Sequence, residues 1–373
     1  MTRIPPGCSR AIDEEVLVVR RFVVLVVLLL PILLLAKLPP ELNNSYILWL
    51  WENAKKEGGW IYTYGMPAIW ANYGEIFGKF EEFFGIKQRD IDMGSAVVLA
   101  RMTEENASKN DIADLKPAFA AELAKRGLTA DYIPVDFHLI PEGQKGIDEK
   151  TKSVWIAAYK GTLGFMVNTQ LVKQIPRTWK DLKNPAYKNL IVYLDPRATG
   201  TGVNTVEAIA YALTGDPYNF KPAIDFLKEL HDMGLILTVD PKVSVAKWER
   251  GEAGIVINFD YNLLDWKEKN PHIPSVIVIP EDGTVASGGG VIIAKNAPHP
   301  YTARLFMEYL LRYGQKLYAK AFVSPIIPTV EIPEEVKAKF PPAEAYKKVV
   351  FIDYQKDAEI SKDLQDYYSK VIK

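Results

Sequence analysis

The residues best placed to do chemistry lie in 195–205, DPRATGTGVNT, where Gly200-x-Gly202-x-x-Thr205 runs one residue short of a dinucleotide-binding fingerprint. That fingerprint needs its first glycine directly after a strand, whereas five residues, Asp195 to Thr199, separate Gly200 from the apolar run LIVYL. No Gly-Lys-Ser/Thr follows, so a P-loop is excluded. What remains is the chemistry of a helix start near Thr201. Its first N–H groups are unpaired and the helix dipole is positive there, which suits a carboxylate, phosphate or phosphonate. Gly200 and Gly202 let a ligand approach the backbone, Thr199 or Thr201 can cap the helix or donate a hydroxyl, and Arg197 is expected to add a fixed charge. The same pattern also fits a plain helix cap, so ligand contact is an expectation to be tested against the fold.

Reactive constellations are missing from the sequence. His138, His231, His272 and His299 stand singly, without metal-site spacing, and no G-x-S-x-G elbow occurs. The one cysteine, Cys8, lies upstream of the apolar N-terminal run. Glu81-Glu82 and Glu334-Glu335 read as solvated helix faces. These features point away from an enzyme and away from a bound metal or cofactor. A formal net charge of −1 over 373 residues, with no basic run interleaved with aromatics, also points away from nucleic acid.

The elements that must position the 195–205 loop begin after a segment of another kind. Arg20-Arg21 precedes FVVLVVLLLPILLLA, Phe22 to Ala36, a charged region followed by a hydrophobic one, as in a secretion signal. The run is short for a membrane span and holds Pro31, yet AKLPP is a poor cleavage site, so an uncleaved anchor is the alternative. Either way the body is expected outside the cytoplasm. The acids of AIDEEV upstream are odd for a signal and suggest a translation start nearer Val16–Val19. Asn43-Asn44-Ser45 and Asn106-Ala107-Ser108 fit the glycosylation sequon, a triplet common by chance.

Beyond the linker LPPELNNS, strand-like and helix-like segments alternate, the pattern of an α/β protein. WIYTYG reads as a strand ended by Gly65, and Pro67 opens an aromatic-faced helix that stops at Gly85. A turn at Met93-Gly94-Ser95 leads into another helix, and Pro117 and Gly127 bracket a third. SVWIAAYKGTLGFMVNT, 153–169, reads as two extended runs broken at Tyr159-Lys160-Gly161, a suitable crossing between lobes. The rhythm repeats from Pro176 to about Glu281, with a helix from Pro222 to Gly234, and a further strand and long helix follow SGGG at 287–290. We therefore divide the chain into a signal or anchor plus linker (1–45), the first part of lobe 1 (46–160), lobe 2 (161–284) and the return of lobe 1 with C-terminal helices (285–373). Aromatics near strand ends, Tyr62, Tyr64, Trp70, Trp155, Tyr159, Tyr261 and Trp266, are mostly core material, but those at the carboxyl ends of strands are placed to meet a ligand.

IYTYGMPAIW, LDPRATGTG, WERGEAGIVINFDYN and AKNAPHPYTARLFMEYLLRYGQKLYAKAF together resemble, in order, segments of the extracytoplasmic solute-binding proteins of ABC transporters, in the group handling ferric iron, polyamines, thiamine and phosphonates. The resemblance covers roughly residues 58–330. It implies a two-lobe periplasmic-binding-protein-like α/β fold of type II with a ligand cleft between the lobes, closure on a small polar or charged solute, and delivery to ABC permease subunits by a monomer. Carried over by position, it implies that the loop around Tyr64, the Met93-Gly94-Ser95 turn, Thr199–Gly202 and the Asp260-Tyr261 loop face the cleft; with the residue readings above, the expected ligand contacts are Tyr64, Gly65, Trp70, Gly94, Ser95, Tyr159, Arg197, Thr199, Gly200, Thr201, Asp260 and Tyr261. Iron-binding members carry an adjacent tyrosine pair in the second half of the chain; here that pair is Tyr367-Tyr368, in the C-terminal tail, which argues against ferric iron. Two alternatives use the same scaffold or surface: an exported, transferase-like enzyme, and a sensing ectodomain, the latter weakened because no output domain follows.

Overall fold

A computed structural model describes residues 38–373. The apolar run Phe22 to Ala36 and Cys8 lie outside the described residues. No helix among the described residues is long and apolar enough to cross a membrane.

The first lobe is built from parallel strands, each delivering a helix. α1 (Ser45–Ala54) precedes β1 (Trp60–Tyr64), and Asn44 caps α1 by accepting from the Tyr46 and Ile47 amides at 3.1 and 3.0 Å. α2 (Tyr73–Phe84) follows and ends at Gly85, whose φ of 72° is the left-handed value a glycine tolerates. The helix starts later than Pro67 implies, because Ala71 and Asn72 adopt left-handed backbone first. Its aromatic face packs on the helix Pro300–Tyr309, with Phe77 stacked on Phe306 at 4.5 Å. β2 (Lys87–Ile91), α3 (Ser95–Glu104), β3 (Ile112–Leu115) and α4 (Pro117–Lys125) complete the alternation.

β4 (Lys145–Ile147) pairs with β5 (Val154–Asn168), which is one continuous strand where the sequence suggests two. Through Thr162 it pairs with lobe-1 strands, and from Leu163 it pairs with the second-lobe strand Ile255–Phe259. The second lobe repeats the α/β rhythm with β6 (Ile191–Val192), α5 (Gly200–Thr214), α6 (Phe220–Asp232), β7 (Ile236–Thr238), α7 (Pro241–Glu249), β8 (Ile255–Phe259), α8 (Asp260–Lys269) and β9 (Ser275–Val278). β10 (Thr284–Ile293) returns antiparallel to β5 and β3. α9 (Pro300–Tyr309) runs through a π turn at Leu310–Gly314 into α10 (Gln315–Lys320), followed by β11 (Ser324–Pro325), α11 (Glu334–Lys337), β12 (Val349–Phe351) and α12 (Tyr354–Val371).

Along the ladder the strand order is β2-β1-β3-β10-β5-β8-β6-β7. β1, β2 and β3 are mutually parallel, as are β6, β7 and β8. Such sheets present the loops after their strands, and the helix N-termini that follow, on one edge. α12 packs against both α4 and α6 and so bridges the two lobes.

Candidate functional site

The carboxyl ends of both parallel sets open on one cleft of about 220 Å³. Gly65 follows β1, Asp92 to Ser95 follow β2, and Asp114 to Lys116 end β3. From the other lobe come Thr199 to Thr201 after β6, Pro241 and Lys242 after β7, and Asn258, Phe259 and Tyr261 at the end of β8. The open-sheet rule thus accounts for most of the lining from topology alone.

Two helix N-termini face each other there. Thr199 caps α5, its Oγ1 accepting from the Gly202 amide at 3.0 Å, which leaves the Gly200 and Thr201 amides without a protein acceptor among the described residues. α3 has Gly94 at its cap with no side-chain bond, so the Ser95 and Ala96 amides are likewise free. Ser95 Oγ is held by the Lys116 amide at 3.0 Å. The glycines permit this approach: a Cβ on Gly200 would sit 2.9 Å from Lys116 Cβ and 3.1 Å from Ser95 Oγ, and one on Gly94 would overlap the Ala198 carbonyl. Lys242, exposed on the first turn of α7, adds a cation, though the α7 terminus is occupied by Asp240, which accepts from the Lys242 amide at 2.9 Å. The arrangement suits an anion shared between lobes.

The floor is aromatic and acidic. Trp70 Nε1 donates to the Tyr159 hydroxyl at 2.8 Å, and Tyr159 and Tyr73 donate to Asp114 Oδ2 at 2.7 and 2.8 Å. Tyr261 stands edge-on to both Trp70 and Tyr159, with centroids at 5.9 and 5.7 Å. Burial pushes the Asp114 carboxyl up to about 7 against the pull of its two phenol donors. Burial raises Asp92 as well, and holds the Tyr159 and Tyr261 hydroxyls well above the usual phenol range.

Gly65, Trp70, Gly94, Ser95, Tyr159, Thr199, Gly200, Thr201 and Tyr261 therefore all line the cleft. Three residues expected there do not. Tyr64 turns under α3, where its hydroxyl donates to Glu105 at 2.7 Å and Arg101 covers its ring. Arg197 folds back on Asp195, with Nη2 to Oδ2 at 2.5 Å, and lies over the Tyr368 ring, so the nearest carboxylate takes the charge expected in the cleft. Asp260 is the first residue of α8 rather than part of a loop; its carboxylate accepts from the Thr162 and Tyr261 amides at 3.0 and 2.9 Å and from the Tyr346 hydroxyl at 3.2 Å. Burial drives that carboxyl up to about 6.

Asp114, Asn204, Lys242, Ser244 and Asn258 also line the cleft and are missed by sequence reading. For Lys242 a signal existed: Asp240-Pro241, a cap residue and a proline at the first helical position, marks a helix start after the β-rich LILTV. For Asp114 the only signal was its place at a strand's carboxyl end. Beneath the cleft, Lys116 bridges Glu207 at 3.1 Å and Asp357 at 2.5 Å, all three side chains buried. Burial, then the neighbouring Asp357 charge, raises Glu207 well above the usual carboxylate range despite Lys116. This cluster ties α4, α5 and α12 together across the lobes. Tyr367 and Tyr368 bond instead to Asp225 and Tyr193, away from the cleft, and no cluster of three or more His, Cys, Asp or Glu suited to a metal occurs among the described residues.

Residues 108–358 match the family of bacterial extracellular solute-binding proteins. An uncharacterized protein of Haemophilus influenzae is 32% identical over 290 residues, which is 74% of this chain and 80% of that protein. A periplasmic protein of Salmonella typhimurium, provisionally named as 2-aminoethylphosphonate-binding, is 28% identical over 130 residues, 34% of this chain and 36% of its own length. Among solved structures, the periplasmic binding protein AfuA of Actinobacillus pleuropneumoniae, with exogenous fructose-6-phosphate bound, aligns with a TM-score of 0.71 at 23% identity over 84% of this chain and 99% of that one. The architecture is thus the type II periplasmic-binding-protein fold.

Proposed function

Because the chain belongs to the bacterial extracellular solute-binding proteins, we propose that it is the receptor of an ABC importer, capturing a small solute with an anionic group and passing it to a membrane permease. The observation that carries the anionic reading is the free amides of Ser95, Gly200 and Thr201, which open on one cleft from opposite lobes. An anion there touches both lobes at once and stabilises their closed arrangement by its differential contacts. The phosphorus-bearing ligands in the names of the Salmonella and Actinobacillus proteins support phosphate or phosphonate within the wider set of phosphonate-, thiamine-, polyamine- and iron-type solutes. Tyr367 and Tyr368, engaged elsewhere, make iron the weakest of the four.

Export or anchoring through the N-terminal segment, outside the cytoplasm, belongs to the same proposal. A receptor needs no reacting group, and the family membership favours it over an exported transferase. Trp70 and Trp266 line the cleft, so tryptophan emission reports occupancy. Titration with inorganic phosphate, ethylphosphonate, thiamine monophosphate, citrate and spermidine is expected to give a saturable change with at least one anion and none with spermidine. Response to spermidine alone would contradict the anionic reading, and conversion of a bound compound would support the enzyme.

A further inference from the structure

The side of the cleft formed by lobe 1 carries acids that no base answers. Asp92 and Asp114 both line it, with Asp90 behind, and none of the three enters an ion pair among the described residues. The neighbouring cation, Lys116, is consumed by Glu207 and Asp357. Asp114 is 6% exposed; its Oδ2 accepts from two phenols, while its Oδ1 makes no hydrogen bond among the described residues, at the wall of the cleft that Asp114 lines. A nearly buried carboxylate oxygen left free at a cavity wall awaits a donor from the ligand. Around it stand Trp70, Tyr159 and Tyr261, whose ring faces attract a cation and are too apolar to hydrate one. A carboxylate inside an aromatic surround is the chemistry of an ammonium site. A neutral hydroxyl would leave the acidic wall uncompensated.

We infer that the solute is a zwitterion, its protonated amine donating to Asp114 Oδ1 among Trp70, Tyr159 and Tyr261 while its phosphonate or phosphate meets the α3 and α5 amides. This rests on the anionic reading above and adds the second pole. The matched probes are 2-aminoethylphosphonate, 2-hydroxyethylphosphonate and ethylphosphonate, titrated at pH 8 into the full-length protein and into its Asp114→Asn variant, with circular dichroism to check folding. The amine probe is expected to bind at least about tenfold more tightly than ethylphosphonate, a difference of about 1.4 kcal/mol. In Asp114→Asn that ratio should fall toward one. A wild-type ratio near one, a ratio kept by the variant, or tighter binding of the hydroxyl probe overturns the inference and leaves the anionic reading intact. If none of the three probes binds, the inference falls, and the phosphate, thiamine monophosphate and citrate titrations decide the anionic reading separately. The wild-type ratio decides even where the variant does not fold.

Discussion

Gly94 at the cap of α3 backs directly onto the Ala198 carbonyl of the opposite lobe, with no room for a Cβ between them. Gly94, like Gly200 facing it, lets the two helix starts meet because it lacks a side chain. Gly94→Ala must push the lobes apart at the point where the free amides converge, while its φ of −72° is one alanine adopts without strain. The variant is expected to keep its melting temperature within a few degrees and to lose about tenfold or more in solute affinity, roughly 1.4 kcal/mol. Thermal melts and fluorescence titration read the two effects separately; unchanged affinity would show that the lobes need not approach at Gly94.

Lys116 sits between Glu207 and Asp357 with no exposure to water, so its removal leaves two carboxyls buried without a cation. Lys116→Met should cost about 3–5 kcal/mol of stability, as for other broken buried ion clusters. Glu207→Gln should cost far less. Because the Glu207 carboxyl is raised, its contribution is present at low pH and fades as pH rises, so the glutamine variant gains on the wild type toward alkaline pH. Denaturant melts at pH 5 and pH 8 check both; equal losses in the two variants would contradict the assignment of Lys116 as the sole counter-charge.

The Asp114 carboxyl, at about 7 in the folded chain against an ordinary value near 4, also binds a proton more tightly folded than unfolded. Its favourable contribution is complete below about pH 4 and is lost as pH climbs through 7. Tyr73, Tyr159, Tyr261 and Tyr318 press on the site with hydroxyls raised well above the phenol range, so within this window the carboxyl itself titrates. Asp114→Asn should stabilise the empty protein relative to wild type at pH 8, by up to roughly 4 kcal/mol, with little gain at pH 4. A difference in melting temperature that does not grow with pH would contradict this.

Arg197 and Lys242 make opposite predictions. Arg197 is spent on Asp195 and the Tyr368 ring, and Arg197→Ala should leave solute affinity within about twofold. Lys242 lines the cleft, and Lys242→Ala should weaken anionic probes about three- to tenfold, more at low salt than at high. Titrations at two ionic strengths distinguish them. A large loss from Arg197→Ala would mean that the guanidinium leaves Asp195 when a solute arrives.

These two residues show what the sequence could carry. Helix ends written in local backbone needs were legible: Gly85 and Gly127 take left-handed φ after α2 and α4, and Pro117 opens α4 where the missing N–H costs nothing. So was the helix start within LDPRATGTG, because unpaired amides follow from helix geometry alone. The direction of a long side chain was not. Arg197 has a carboxylate two residues away, Tyr64 reaches Glu105 under α3, and Asp260 accepts from the Thr162 amide and the Tyr346 hydroxyl, each choice being settled by neighbours rather than by spacing. The cluster of Lys116, Glu207 and Asp357 joins distant parts of the chain and leaves no periodic trace.

The claim that one small anionic solute is held unaltered between the lobes is tested most directly by native mass spectrometry of the protein isolated from cells exporting it. The account predicts one bound species per chain, bearing a phosphoryl, phosphonate or carboxylate group, that rebinds the stripped protein without chemical change and rebinds Gly94→Ala more weakly. Release of a metal ion alone, or of a compound that the protein converts on rebinding, would contradict it.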